Sequence, residues 1–267
     1  MIPAERAMLI DLHVHTNHTR GCTATAREVV RRAREAGLDG VAITDLNTLE
    51  GLAEVREAAR EENFLALCGL EVATDRGHFL CFFPDPARVP APAQAFGSAT
   101  PWPVREVLAR VQALGGVAVA AHPYDKSIER PSGDVIFTLD GLSAIEGLNA
   151  RRKGPANDLA VEAADHMNLP CTGASGAHEL AEIGKAATLF KELVASEADL
   201  VAQLRAGAVF AVAIGVSPGA ATADRGHDWH ARRERGDGGG RRDHDRGGRG
   251  DGGGRGRGPR RGGRDRR

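Results

Sequence analysis

The sequence has few aromatic residues, few cysteines and no long hydrophobic run, and each shortage excludes a class of protein. Aromatics are 4% of the 267 residues, and the longest apolar run, residues 208–216, is far shorter than the ~20 residues that a membrane-spanning helix needs. The first residues include Glu5 and Arg6 with no small-residue cleavage site after them, so we expect no secretory signal. The four cysteines form no C-x-x-C pair, which argues against a disulfide framework or a zinc knuckle and indicates a reducing, cytoplasmic compartment.

Basic charge is concentrated at the end of the chain. Residues 224–267 hold 15 Arg, no Lys and 8 acidic residues, a formal charge of +7, whereas residues 1–223 hold 20 basic and 28 acidic residues, a charge of −8. The same last segment holds 15 of the 34 glycines and almost no apolar side chains, so we predict a disordered low-complexity tail whose removal leaves folding unchanged.

Arg/Gly-rich segments can bind nucleic acid through phosphate contacts, but this tail lacks the interleaved aromatics that stack on bases. Its acidic residues weaken the positive charge further. A solvated extension, or an out-of-frame product of a GC-rich gene, is the simpler interpretation.

Within residues 1–223, short apolar runs alternate with amphipathic segments. The predicted strands are 8–14, 40–44, 64–70, 78–82, 117–121, 144–148 and 169–172, and the predicted helices are 26–36, 49–62, 104–114, 156–167 and 192–205. Strands that alternate with helices favour parallel pairing, and about seven such units fit a closed α/β barrel better than an open sheet. In such a barrel, functional residues lie at the carboxyl ends of the strands.

The strongest local signal is the segment DLHVHT at residues 11–16, which ends the first predicted strand. Side chains two residues apart on a strand point to the same side, so His13 and His15 direct both imidazoles to one point. That pair suits a divalent metal ion. Two histidines that merely satisfy hydrogen bonds are the alternative.

Further candidate ligands also lie at predicted strand ends. Glu71 follows one strand, His78 opens the next, His122 follows the strand 117–121, and His178 follows a glycine-containing turn. A charged or imidazole group at the end of a buried strand is costly unless it is paired or coordinated, although each residue alone is equally consistent with a surface turn. Together with the two earlier histidines, they predict one metal cluster at one end of the barrel.

These motifs resemble, in the same order, those of the polymerase and histidinol phosphatase (PHP) superfamily of metal-dependent phosphoesterases. The resemblance spans roughly residues 8–215 and is closest to the shorter bacterial members. It rests on DLHVHT at 11–16, AITD at 42–45, GLEV at 69–72, GHFL at 77–80, AHP at 121–123 and GASGAH at 173–178, with shorter likenesses at 144–149 and 182–188. It implies a distorted seven-stranded barrel that hydrolyses a phosphomonoester, nucleotide or short nucleic-acid end through a hydroxide bridging two metal ions.

The resemblance also implies roles for individual residues. The implied metal ligands are His13, His15, Glu71, His78, His122 and His178. Glu71 bridges two divalent ions, for which zinc, manganese and iron are all suitable. His178 belongs to a third ion, where it either helps to hold the substrate phosphate or donates a proton to the leaving oxygen. Asp45 orients a ligand imidazole.

The chain departs from the family pattern at three ligand positions. Gly176 stands where an aspartate is usual, Leu46 where a histidine is usual, and Gly21 or Cys22 where a loop ligand is usual. The two-ion centre stays chemically reasonable because water can fill one vacant position, whereas the third site keeps only His178. The substitutions Leu46→His and Gly176→Asp are therefore predicted to raise both metal content and turnover.

Several assignments stay open in the sequence. His18 and Cys22 are possible replacement ligands, but a solvated loop residue is the commoner case for both. Arg20 is placed to bind phosphate, and Asn149 is placed to face the site.

Three candidate functions follow from the sequence: a metal-dependent phosphoesterase acting on a small phosphorylated substrate or nucleotide, a degenerate metal-binding relative with weak or no catalysis, or a nucleic-acid-associated protein attached through its tail. We expect no membrane partner.

Overall fold

The computed structural model describes residues 7–98, 100–152 and 154–215, and the predicted tail 224–267 lies outside the described residues. The described strands are β1 Met8–Val14, β2 Gly40–Ile43, β3 Leu65–Thr74, β4 Gly77–Phe82, β5 Val117–Ala121, β6 Leu142–Asn149, β7 Cys171–Ala174, β8 Ala186–Phe190 and β9 Val209–Ala213. The described α-helices are α1 Ala26–Glu35, α2 Leu52–Glu62, α3 Pro92–Phe96, α4 Val104–Ala113, α5 Ala156–Met167 and α6 Glu197–Ala206. None of these helices combines the length and apolar character that crossing a bilayer requires.

The nine described strands form one mixed sheet in the order β7-β6-β5-β4-β3-β2-β1-β8-β9. The mixed α/β architecture and the barrel-like sheet agree with the sequence prediction, and all seven predicted strands are present. The structure adds β8 and β9: β8 pairs antiparallel with β1 on one side and with β9 on the other. The predicted helix 192–205 begins only at Glu197, because Ser196 caps it by accepting a hydrogen bond from the backbone of Asp199.

The expectation of parallel pairing is wrong for β4, which runs antiparallel to both β3 and β5. A two-residue turn, Asp75 and Arg76, joins β3 to β4 and leaves no room for a crossover helix, so the two strands form a hairpin. The beginning of β4 therefore lies at the same rim as the carboxyl ends of β1, β2 and β5.

Two contacts bring the ends of the sheet together into a nearly closed barrel. The Thr188 hydroxyl accepts a hydrogen bond from the Gly173 backbone at 3.0 Å and donates one to the Gly173 carbonyl at 2.8 Å, which links β8 to β7. The segment after β7 pairs with β1, since the His15 N–H donates to the Ala177 carbonyl at 2.9 Å and the Ala177 N–H to the His13 carbonyl. The H-x-H segment is thus fixed by a backbone neighbour on each side.

Apolar side chains fill the barrel. Residues of β1 to β6, including Leu12, Leu80 and Phe82, share a buried cluster with Leu200 and Leu204 of α6. Burial of each such side chain contributes about 1.5–3 kcal/mol to folding. Many of the buried polar residues, among them His13, His15 and His122, lie at the rim where β1 and β5 end.

Candidate metal centre

The structure brings five predicted ligands together, with four histidines around the Glu71 carboxylate. Its Oε1 lies 2.9 Å from His78 Nδ1, 3.2 Å from His122 Nε2 and 3.5 Å from His13 Nε2. Its Oε2 lies 3.3 Å from His15 Nε2. His78 reaches the group from the beginning of β4, which is possible only because that strand is antiparallel to its neighbours.

Three overlapping groups of donors each place their ligand atoms within 4.8 Å of one another. They are His13, His15 and Glu71; Glu71, His78 and His122; and His13, His122 and Glu146. The first two groups match the two ion sites that the resemblance implies. Glu71 belongs to both groups, as expected of a bridging carboxylate.

The tautomer of His15 is fixed by its neighbours. His15 Nδ1 lies 3.1 Å from the Thr19 hydroxyl, which donates its single proton to Asp45 at 2.7 Å and accepts the backbone N–H of Leu46 at 2.9 Å. Since that proton is already committed, His15 must donate its Nδ1–H to Thr19. The lone pair of its Nε2 then points at Glu71.

The tautomer of His13 is fixed by a second carboxylate. His13 Nδ1 lies 2.8 Å from Oε1 of Glu146, which is fully buried and accepts hydrogen bonds only. The other ring nitrogen of His13, Nε2, faces Glu71, like Nε2 of His15. Such a carboxylate behind an imidazole is the arrangement that orients metal-binding histidines.

The arrangement fits a cation. The Nε2 lone pair of His15 faces a carboxylate oxygen of Glu71 at 3.3 Å, a contact between acceptors that is repulsive unless positive charge lies between them. His15 Nε2 and His122 Nδ1 are buried without a hydrogen-bond partner. Although burial alone lowers the pKa of His13, Glu146 and Glu71 raise it to about 10, so this site attracts positive charge.

Glu146 also holds His122. Its Oε2 accepts the backbone N–H of His122 at 2.8 Å and the amide of Asn149 at 3.1 Å. The backbone of His122 has φ of +28°, which is uncommon for a residue with a side chain and is held here by that hydrogen bond. One buried carboxylate therefore positions two of the candidate ligands.

Comparison with known proteins identifies the chain's family. The PHP domain model matches residues 11–129, and the PHP-associated model matches residues 154–209. The chain belongs to the PHP family. Among curated proteins, the uncharacterized protein MJ1587 of Methanocaldococcus jannaschii is 29% identical in an alignment of 165 residues that covers 58% of this chain and 90% of the relative.

Two solved structures share the PHP fold of this chain. A candidate metal-dependent phosphoesterase from Bifidobacterium adolescentis superposes with a TM-score of 0.54 at 24% identity, covering 73% of this chain and 94% of its own. PsfC from Pseudomonas syringae superposes with a TM-score of 0.59 at 17% identity, covering 79% and 93%. At these identities the likeness establishes the fold.

Asp45 is connected to the candidate metal centre by hydrogen bonds to two threonines rather than by direct contact with an imidazole. Its carboxylate accepts the backbone N–H of Thr16 at 2.7 Å and the hydroxyls of Thr16 and Thr19 at 2.6 and 2.7 Å. Asp45 is thus linked to His15 through Thr19, and its orienting role stays a prediction.

His178 stands beside the five clustered ligands. Its ring centroid lies 4.4 Å from that of His15, but in the described part of the chain it joins none of the donor groups. Burial and the charge of Arg151 lower the pKa of His178 to about 4, so the imidazole is neutral at pH 7. Leu46 contributes only its backbone N–H to this region.

The structure argues against the gain predicted for Gly176→Asp, the substitution meant to restore a carboxylate ligand. Gly176 has φ of +63°, and a Cβ there would lie 2.5 Å from Nδ2 of Asn149. Asn149 in turn hydrogen-bonds Glu146, so an aspartate at 176 would displace a residue that supports the centre. The predicted gain from Gly176→Asp is therefore withdrawn.

His18 and Cys22, the two possible replacement ligands, have other surroundings in the structure. His18 Nε2 lies 3.2 Å from Oε1 of Glu54 on α2, and a Cβ on Gly51 would touch its ring, so His18 packs against that helix. Cys22 is buried, and burial together with Asp45 raises the pKa of its thiol. Neither residue lies in a donor group within the described ranges.

The sequence analysis missed Glu146 and Thr19. Glu146 is the single charged residue of β6, a strand otherwise composed of apolar and small polar residues, and that isolation was the available signal. Thr19 carries no comparable local sign, because its role depends on Asp45, 26 residues away.

Proposed function

We propose that the protein is a metal-dependent phosphoesterase that hydrolyses small phosphorylated substrates or nucleotides. The observation that carries the proposal is the arrangement of four imidazoles around one carboxylate, in which Nδ1 of His13 and His15 is held by Glu146 and Thr19 and Nε2 of both faces Glu71. A centre of nitrogen and oxygen donors of this kind suits zinc, manganese or iron.

Each of two divalent ions would have three protein ligands. One would be held by His13, His15 and Glu71, and the other by Glu71, His78 and His122. Such ions, when bound, polarise a phosphoryl oxygen and lower the pKa of a water molecule toward ~7.

The protein's own residues supply positioning and shelter. Glu146 and Thr19 hold the imidazoles of His13 and His15 in the ligating tautomer before a substrate arrives. Both imidazoles are 2% exposed, which keeps bulk water away from the inner side of the centre. His178, neutral at pH 7 and adjacent to His15, is suited to accept or donate a hydrogen bond to a bound phosphate.

A degenerate metal-binding relative is the second candidate. It is favoured by one observation: among the described residues His178 joins no group of three potential metal ligands, and positions 46 and 176 hold Leu and Gly. This protein would bind metal at the Glu71 centre without efficient turnover.

Metal content and turnover must be measured on the same sample. The full chain, purified without chelator, is analysed for metals and assayed on a panel of phosphomonoesters and nucleotides. We expect about two divalent ions per chain, turnover that is lost with chelator and regained with metal, and loss of both properties in Glu71→Gln.

The control is Glu57→Gln, the same substitution at an exposed position of α2. Full metal occupancy with no turnover on any substrate would leave the degenerate relative as the function. An absence of stoichiometric metal would contradict both candidates.

A further inference from the structure

We propose that Arg151 is a phosphate-binding residue of this site and makes the enzyme selective for phosphomonoesters over phosphodiesters. The proposal rests on the function proposed above and extends it to the class of substrate. It assigns the positive charge at the His178 side of the centre to a guanidinium rather than to a further metal ion.

The backbone of Arg151 is held next to the centre by the end of β6. Its N–H donates to Oδ1 of Asn149 at 3.1 Å, and the amide of the same Asn149 donates to Oε2 of Glu146 at 3.1 Å. Two hydrogen bonds therefore connect the Arg151 backbone to the carboxylate that holds His13.

The side chain of Arg151 is directed to the His178 side. Its Nε lies 3.2 Å from Oε1 of Glu182, whose Oε2 accepts the backbone N–H of His178 at 2.9 Å. Glu182 uses only the Nε group, and within the described ranges the two terminal NH₂ groups have no partner.

Nearby arginines are placed differently. Arg152 is held at Asp125 instead, because its Nη1 lies 2.8 Å from that carboxylate and donates to the Ser127 hydroxyl at 3.2 Å, while its Nε is buried without a partner. Arg20 is exposed on the loop after the H-x-H segment and makes no described ion pair. Arg151 is therefore the guanidinium that combines free donors with a fixed position beside His178.

The number of contact points favours a monoester. A phosphomonoester has three non-bridging oxygens and a charge near −2, whereas a diester has two such oxygens and a charge of −1. The Glu71 centre offers two adjoining donor groups for metal ions, and Arg151 with His178 forms a third contact point on one side. A diester has no oxygen left for that third point, since its remaining oxygens carry carbon.

The test is binding of inorganic phosphate to the metal-loaded full chain, measured by calorimetry for wild type and Arg151→Gln. We expect the Kd to rise roughly 10- to 100-fold, as for loss of a charge-assisted hydrogen-bond pair, with metal content and Tm unchanged. Arg151→Lys should recover part of the affinity, because it restores the charge without the planar fork. Arg110→Gln, an exposed substitution on α4, is the control.

Selectivity is tested with p-nitrophenyl phosphate and bis-p-nitrophenyl phosphate. Arg151→Gln should raise KM for the monoester by about the same factor as the phosphate Kd and leave the diester nearly unaffected. An unchanged phosphate Kd, an equal loss on both substrates, or a loss of affinity in Arg20→Gln instead would overturn the proposal.

The outcomes separate this proposal from the proposed function. Phosphate binding that depends on Arg151 in a protein without turnover contradicts the enzyme function and supports the Arg151 site. Turnover of monoesters that is insensitive to Arg151→Gln does the reverse.

Discussion

Replacing Glu146 by glutamine should switch the tautomer of His13 while preserving the shape of the site. In the wild type, Oε2 of Glu146 accepts two N–H donors, from His122 and Asn149, and Oε1 accepts the Nδ1–H of His13. A glutamine that keeps its oxygen for the two donors must turn its NH₂ toward His13. Nδ1 then has to accept, which moves the imidazole proton to Nε2, where the metal would bind.

The magnitude follows from these contacts. Loss of a carboxylate that orients a ligand typically lowers metal affinity 10- to 100-fold. Loss of its charge-assisted hydrogen bond, in a side chain that is 0% exposed, should cost about 1–3 kcal/mol of unfolding free energy. The assays are competition with a chromophoric chelator and the ¹⁵N shifts of the His13 ring, with Glu57→Gln as control. A metal Kd within twofold of wild type, with His13 still protonated at Nδ1, would refute the reasoning.

Three further predictions concern the same region. Thr19→Val leaves His15 Nδ1, Asp45 and the Leu46 N–H without their shared partner, so it should lower the free energy of unfolding by about 1–3 kcal/mol and weaken metal binding. The control Thr23→Val, at an exposed position, should do neither, and equal denaturation midpoints for the two variants would contradict the prediction. Zinc or manganese at about 100 times its Kd should stabilise the protein by about 2.7 kcal/mol, a rise in Tm of roughly 5–10 °C that chelator reverses; a Tm independent of metal would argue against a built site. Gly176→Ala should lower Tm by several degrees more than Gly154→Ala. Both positions have φ near +70°, but only a Cβ at position 176 meets Asn149. Equal losses of Tm would show that the backbone angle alone matters.

The sequence was most informative where a pattern repeats locally. The apolar runs of β1 and β5 and the periodic pattern of α5 predicted those elements almost to the residue. β9 was missed because it alternates little between buried and exposed positions, and β8 because its sequence AATLF begins with two alanines, which have low strand propensity. The reversed direction of β4 was missed because a strand's direction is set by its connection, not by its apolar residues.

The four candidate histidine ligands could be found from sequence because they stand at or next to strand ends, which the parallel and antiparallel strands bring to one rim, whereas Glu71 lies inside β3, which is longer than predicted. Their supports could not be found in this way. His13 and Glu146 are 133 residues apart, and only the closed barrel brings them within 2.8 Å. The boundary near residue 223 and the tail stay predictions from composition.

Because β3 and β4 form a hairpin, one part of the candidate metal centre can form earlier in folding than the rest. Glu71 and His78 are seven residues apart across a tight turn, so their contact can form as fast as a hairpin does, in about 1–10 μs. The contact between His13 and Glu146 must wait for most of the barrel, because its loop closure spans half the chain. We therefore expect a refolding chain to acquire a weak two-ligand metal site early and its full affinity only in the last step, so that excess metal during refolding gives little acceleration while strongly slowing unfolding.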